Sequence, residues 1–467
     1  MDELHELSAV TLAGLLQRGD VTPREAAAHF LARIARADDA LGAFVEVTAE
    51  RALRRAGALG APDPSRPLWG MPLADKDLTA RAGVPTRYGS RAFASYVPEH
   101  SDPLARALDD LGAVSLGKTN TPEFGMTGYT ESRVAPPARN PWDTTTGAGG
   151  SSGGAAAAVA AGLLPAAPAS DGGGSIRIPA ATVGVVGLKP SRGRLPVGSG
   201  MDAPGGLSVA GPIARTVEDA AFLLDALAAS GPYPYATRAP GSGPFHDAAR
   251  RGPGRLRVGA TTVTPWDGWT DTTLDPGARA AFDAGVRLLE AAGHDVADAG
   301  WRPRGYPALF ATIWRASAAR IPVADERLDD LLEPLTAWLV REGRALPAER
   351  VLAAYAEAAV FERETISAFS PFDVVVTPAL ALSPRPVGWY PADDPERNFA
   401  QQCRYAPHTS FVNVAGLPAI TVPLHPDATG RPVSVQLIGR PGGEAVLLSL
   451  AAQLEAARGP LPHPPVW

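Results

Sequence analysis

Apolar residues recur at helical spacing through the first sixty positions: Leu4, Leu7 and Leu12, then Ala28, Phe30, Leu31 and Ile34. That is the period of helices with one buried face. Thr22-Pro23 supplies a side-chain cap followed by proline at the first helical position, and the run APDPSRP then breaks the pattern. Beyond Gly112, Ala113–Leu116 reads as a strand and Gly154–Gly162 as an Ala-rich helix. Arg255–Ala260 reads as a short strand, and Pro276–Ala292 as a helix stopped by Gly293. The runs Val374–Thr377, Ala419–Leu424 and Val433–Ile438 have the continuous apolar character of strands buried on both faces, and Glu444–Ala457 closes with a helix. Strands alternating with helices predict an α/β fold with helices on both sheet faces. From Ser230 to Arg255, ten of 26 residues are Gly or Pro, which predicts a surface excursion or linker.

Charge and cysteine content narrow the function. The 43 basic and 49 acidic residues leave a formal charge of −6, so no basic excess exists to displace phosphate counterions, and nucleic acid is not expected as a partner. A single cysteine, Cys403, rules out an internal disulfide framework and fits a reducing compartment. The N-terminal MDELHELSAV has acids where a signal peptide needs positive charge, and no long apolar run lacks Pro or Gly. A soluble, cytoplasmic protein without a membrane partner is expected. Only Lys76, Lys118 and Lys189 are lysines among the 43 basic residues. Arginine is effectively never deprotonated, whereas a buried lysine can be, so a lysine that survives among arginines hints at a position where arginine cannot serve.

Three short patterns match motifs but fail on context. Gly112-Ala-Val-Ser-Leu-Gly-Lys118-Thr119 fits the P-loop expression, yet a helix precedes it, strand formers fill it, and Pro122 stands where the phosphate-binding helix should run. Ser115-Leu-Gly-Lys118 fits S-x-x-K, which requires a helix where this segment reads as a strand. Gly149-Gly-Ser151-Ser-Gly153 fits the nucleophile elbow G-x-S-x-G, but turn formers precede it and no histidine offers itself as a partner.

The stretch 147–179 is more informative. It holds two glycine clusters, each beside a serine (Ser151 and Ser175), with the Ala-rich helix between them. Dense glycine is costly in conformational entropy, so it marks unusual dihedrals or close backbone approach. The ordered segments Gly149–Gly162, Ser170–Ala180 (SDGGGSIRIPA) and Gly187–Arg194 resemble the amidase signature family. So do Gly70-Met-Pro-Leu-Ala-Asp-Lys76-Asp77, Gly117–Glu123, Gly211–Asp219 and Asn413–Pro418. The likeness spans nearly the whole chain and looks most similar to stand-alone bacterial amidases, the group that includes the nylon-oligomer cyclic-dimer hydrolase. It implies an amidase-signature fold with a large mixed, mostly parallel central sheet. Residues 1–60 would form a helical segment packed on a single domain, 61–467, with the signature core at about 69–220 and a more variable region at about 230–412.

The resemblance assigns Ser175 as nucleophile, Ser151 as a bridging serine after a cis peptide bond, and Lys76 as base. A serine hydroxyl is unreactive until a base takes its proton, and lysine can do so only when neutral, which requires a pKa lowered from about 10.4 toward 7. The N–H groups of Gly172, Gly173, Gly174 and Ser175 would face the developing oxyanion. Ser152, Asp171 and Arg177 are expected as structural support, and Asp77 either supports the lysine or is solvated at a strand end. Gly125 and Phe411 are expected to contact substrate, with Trp314, Tyr405 and His408 as further lining candidates; Cys403 is expected to be a packed thiol. Gly172 departs from the family, where Thr, Ile or Ala is usual, and could loosen the oxyanion loop. The implied activity is hydrolysis of a small-molecule amide without metal or cofactor, by a monomer or homodimer. The alternatives are the amidase subunit of a tRNA-dependent amidotransferase, and acyl transfer to an amine.

Overall fold

The computed structural model describes residues 3–195, 206–229 and 243–467. Helices α1 (Ala9–Arg18), α2 (Pro23–Leu41) and α3 (Ala49–Gly57) open the chain. Thr22 caps α2 as anticipated, accepting from the Glu25 N–H at 3.2 Å while the Glu25 carboxylate accepts from the Thr22 N–H at 2.9 Å. The opening segment is not purely helical. Strand β1 (Phe44–Val47) lies between α2 and α3 and pairs antiparallel with β3 (Val114–Thr119), which pairs parallel with β2 (Pro72–Lys76). Helix α4 (Pro103–Asp110) precedes β3. The P-loop-like segment is therefore a strand, and within it Ser115 bonds Asp75 at 2.8 Å while Lys118 bonds Thr86 at 3.1 Å.

A two-stranded ribbon, β4 (Arg139–Asn140) and β5 (Asp143–Gly147), leads into α5 (Gly153–Ala160). The main sheet has eight strands. These are β6 (Ala166–Asp171), β7 (Val186–Lys189), β8 (Val209–Ala214), β9 (Arg257–Ala260), β10 (Asp295–Asp298), β11 (Val374–Pro378), β12 (Ala419–Pro426) and β13 (Pro432–Gly439). Their order is β10-β9-β11-β13-β12-β7-β8-β6. The sheet is mixed, as expected, but not mostly parallel: only β10/β9 and β9/β11 run parallel, and the other five pairings are antiparallel. Buried Val-rich strands report two covered faces but carry no information about direction.

The strand pleat shows how both faces are covered. Val374 and Val376 enter one core with Leu437 and Leu447, while Val375 enters another with Phe372 and Ile438. Helix α5 is buried along its whole length. Its glycines permit close approach: a Cβ on Gly154 would lie 2.3 Å from the Ala43 carbonyl oxygen. Helix α6 (Arg177–Val183) follows the second glycine cluster, and α7 (Val217–Ala228) follows β8. Of the Gly/Pro-rich stretch, residues 230–242 lie outside the described residues, and Phe245–Ala249 forms a short helix. Among the described residues, no helix is long and apolar enough to cross a membrane.

Candidate active site

Strand alternation sends consecutive residues of β2 to opposite sides. Asp75 meets the Arg81 guanidinium at 2.6 Å, whereas Lys76 turns toward the first glycine cluster. There its Nζ donates to Ser151 Oγ at 2.7 Å and to Ser170 Oγ at 3.2 Å. Lys76 is 3 % exposed, and both hydrogen-bond partners are neutral hydroxyls. Burial therefore dominates and lowers the amine from its ordinary value to about 7, against an opposing pull from the Asp171 charge. All three lysines of the chain are buried. Lys118 faces Asp77 at 3.5 Å, and burial holds the Asp77 carboxyl up to about 6, so Asp77 is not solvated at a strand end. Lys189 donates to the Pro190 carbonyl at 2.8 Å, and burial brings it to about 7.

The peptide bond between Gly150 and Ser151 is cis. Ser175 follows β6 and the triple glycine and precedes α6. Its carbonyl accepts from the Ser152 N–H at 3.2 Å, joining the two glycine clusters, and Ser152 Oγ donates to the Ser170 carbonyl at 3.3 Å. Ser175 Oγ makes no hydrogen bond among the described residues; it shares a cavity wall with Ser151.

Asp171 and Arg177 brace this loop. The guanidinium meets the carboxylate through Nε at 3.0 Å and Nη2 at 2.9 Å, and also donates to Thr409 O, Gln436 Oε1 and Asn413 Oδ1. Burial alone would raise the Asp171 carboxyl; the Arg177 charge, with Lys189 and Asn413, outweighs it and holds the acid well below the usual carboxylate range. The same carboxylate accepts from the Gly174 N–H at 2.7 Å and the Ile176 N–H at 3.1 Å. This corrects the expected oxyanion set, because the Gly174 N–H is already engaged. The N–H groups of Gly172, Gly173 and Ser175 have no partner among the described residues. Gly174 instead serves geometry: its φ is +128°, and a Cβ would lie 2.4 Å from Thr409 Oγ1.

Two compartments meet at Ser175. A cavity of about 320 Å³ includes Ser151, Ser170, Gly172 and Gly125 in its wall, and a smaller one of about 60 Å³ includes Gly173 and Tyr405. Gly125 sits at φ +67°, a backbone conformation that strains any other residue, and a Cβ there would lie 2.6 Å from the tip of the Leu78 side chain.

Residues 25–448 match the amidase family profile. The chain belongs to the amidase family. It is 39 % identical over 461 residues to the putative amidase AmiB2 of Mycobacterium tuberculosis, covering 96 % of each chain. It is 35 % identical to a glutamyl-tRNA(Gln) amidotransferase subunit from a Synechococcus species, covering 94 % and 95 %. Among solved structures it resembles 6-aminohexanoate cyclic dimer hydrolase, with a TM-score of 0.90 and 30 % identity over the whole of both chains. It also resembles a bacterial aryl acylamidase of the amidase signature family, with a TM-score of 0.84 and 25 % identity, covering 97 % and 96 %. As a member of this family the chain is a hydrolase acting on amide carbon–nitrogen bonds.

Within this amidase, two expected substrate contacts fail. Phe411 is fully buried between Trp301 and Phe369 and lines neither compartment. His408 is also buried, its Nε2–H donating to the Thr262 carbonyl at 3.1 Å, and burial lowers it to about 4. Trp314 lines both compartments, and the buried Cys403 thiol lines the smaller. Sequence reasoning missed Ser170. Its only signal is that the family pattern places another hydroxyl, threonine, immediately before the loop aspartate.

Proposed function

We propose that this amidase cleaves the amide bond of a small molecule through an acyl-Ser175 intermediate, with Ser151 and Lys76 as the proton relay. The observation that carries the reading is a buried amine, held near neutrality, 2.7 Å from the Ser151 hydroxyl. In the forward step Ser175 Oγ bonds to the carbonyl carbon while its proton passes to Ser151 Oγ and the Ser151 proton passes to Lys76 Nζ. Negative charge on the carbonyl oxygen is met by the free N–H groups of Gly172, Gly173 and Ser175; each such donor is worth about 2.7–4 kcal/mol. The carbon–nitrogen bond breaks as Ser151 gives a proton to the departing nitrogen and takes one back from Lys76, which returns to the neutral amine. Water then attacks the ester by the same relay, releasing the acid and restoring Ser175. Catalytic hydrogen bonds often tighten only once substrate is bound, which accommodates the unbonded Ser175 hydroxyl.

Ser175→Ala should abolish turnover and labelling by a fluorophosphonate probe; labelling that persists refutes the assignment. Ser151→Ala should leave slow labelling at Ser175. The likeness to the glutamyl-tRNA(Gln) amidotransferase favours a second reading, in which the chain works with partners that supply charged tRNA and ammonia. Turnover of simple amides by the purified chain alone decides against it.

A further inference from the structure

The two compartments differ in size, in walls and in their access to the relay, and together these differences orient the substrate. Both include Ser175, Met126 and Trp314, so a carbonyl at Ser175 can extend a group into each. Ser151 lines only the larger one. If Ser151 returns the proton to the leaving nitrogen, that nitrogen must lie on the Ser151 side. The amine portion therefore enters the larger compartment and the acyl portion the smaller.

Volume then sets the substrate class. A cavity of about 150 Å³ suffices for benzene, so the 320 Å³ compartment has room for a ring and a linker. The 60 Å³ compartment is less than half the size of that benzene cavity. Its walls include Ile178, Trp266, Phe310 and Phe399, large side chains that narrow it. The larger compartment carries an aromatic cluster, with Tyr88 centred 5.2 Å from Phe93 and stacked 6.4 Å from Phe124. Such faces and edges favour another ring. No carboxylate lines either compartment among the described residues, so neither offers a counter-charge to a second ammonium group.

We infer that the enzyme acts on amides joining a short acyl group, such as acetyl, to a bulky apolar or aromatic amine, and disfavours the reverse arrangement. This rests on the acyl-serine reading above. The bond chemistry is unchanged: Ser175 takes the short acyl group, the aromatic amine leaves with the Ser151 proton, and water releases the short acid.

The test uses two isomers with identical atoms, N-(2-phenylethyl)acetamide and N-methyl-3-phenylpropanamide, with amine release followed by chromatography. kcat/KM should favour the first by at least about tenfold, since even one methylene in an apolar pocket is worth about 10–200-fold. Equal or reversed preference overturns the inference, as does turnover of neither isomer by enzyme that releases ammonia from other amides. Phe399→Ala, which enlarges the smaller compartment, should lower the ratio; an unchanged ratio in the folded variant also overturns it. If Ser175→Ala still hydrolyses either isomer, the acyl-serine reading itself has failed. If that variant is dead and the preference is reversed, only the orientation has failed.

Discussion

Lys76→Arg puts the relay to its most direct test, because it keeps a nitrogen donor and removes only the ability to be neutral. Burial lowers the lysine from 10.5 to about 7, so at pH 8 roughly nine in ten molecules carry the free amine. An arginine with pKa above about 12 would be neutral in fewer than ~1 in 10⁴ at that pH. Removing a positioned base costs about 10²–10⁴ in rate, and we expect a loss of at least about 10³ in kcat/KM. The assay is kcat/KM for a neutral amide between pH 5 and 9. Wild type should rise tenfold per pH unit to a bend near 7 and then level, because protonation below 7 disables the base; the variant should show no such limb. Arginine at a fully buried site could also unfold the protein, so Lys76→Met serves beside it. Between pH 7 and 10.5 the unfolded chain holds a proton that the native chain lacks, so native stability rises with pH across that window. The full shift corresponds to about 5 kcal/mol, and methionine should remove that slope while leaving a folded, inactive protein. A folded Lys76→Arg enzyme with more than a tenth of wild-type activity and the same bend would refute the reasoning.

Other expectations follow from the loop geometry. Gly174→Ala must place a methyl against Thr409 at φ +128° and should lower both Tm and kcat. Gly172→Ala meets only Trp314 at 3.8 Å and should raise stability by about 0.4–1 kcal/mol in urea unfolding; a fall would show that the loop has no such room. Asp171→Asn leaves the Arg177 charge buried without its counter-ion and should cost about 3–5 kcal/mol by the same measurement. Phe411→Ala should cost about 3–5 kcal/mol through the cavity it opens, and its effect should be loss of fold rather than a change in the isomer ratio.

The groups that the structure brings together around Lys76 were legible because they leave local marks: glycine clusters beside Ser151 and Ser175, and lysines persisting among arginines. What could not be read depends on partners distant in sequence. Ser170 reaches Lys76 across 94 positions, and Asn413 reaches Asp171 across 242. Phe411 looked like a pocket wall because an aromatic near a signature motif suits either a pocket or a core; Trp301 and Phe369 decide for the core. Strand direction was the other loss, although one clue was available. Residues 427–431, Asp-Ala-Thr-Gly-Arg, form a tight turn with Gly430 at φ +85°. So short a connection can only join antiparallel neighbours. The availability of the Gly174 N–H was beyond any motif, since a pattern names residues and not where their hydrogens go.

Lys76 lies behind two hydroxyls with almost no surface of its own. In the proposed relay, a proton arriving there has no ready exit to the surrounding buffer while substrate covers Ser151, so it waits in the wall of the site for the nitrogen that is about to depart. Acylation and amine expulsion then share one retained proton, and the catalytic rate should be indifferent to the identity and concentration of the buffer.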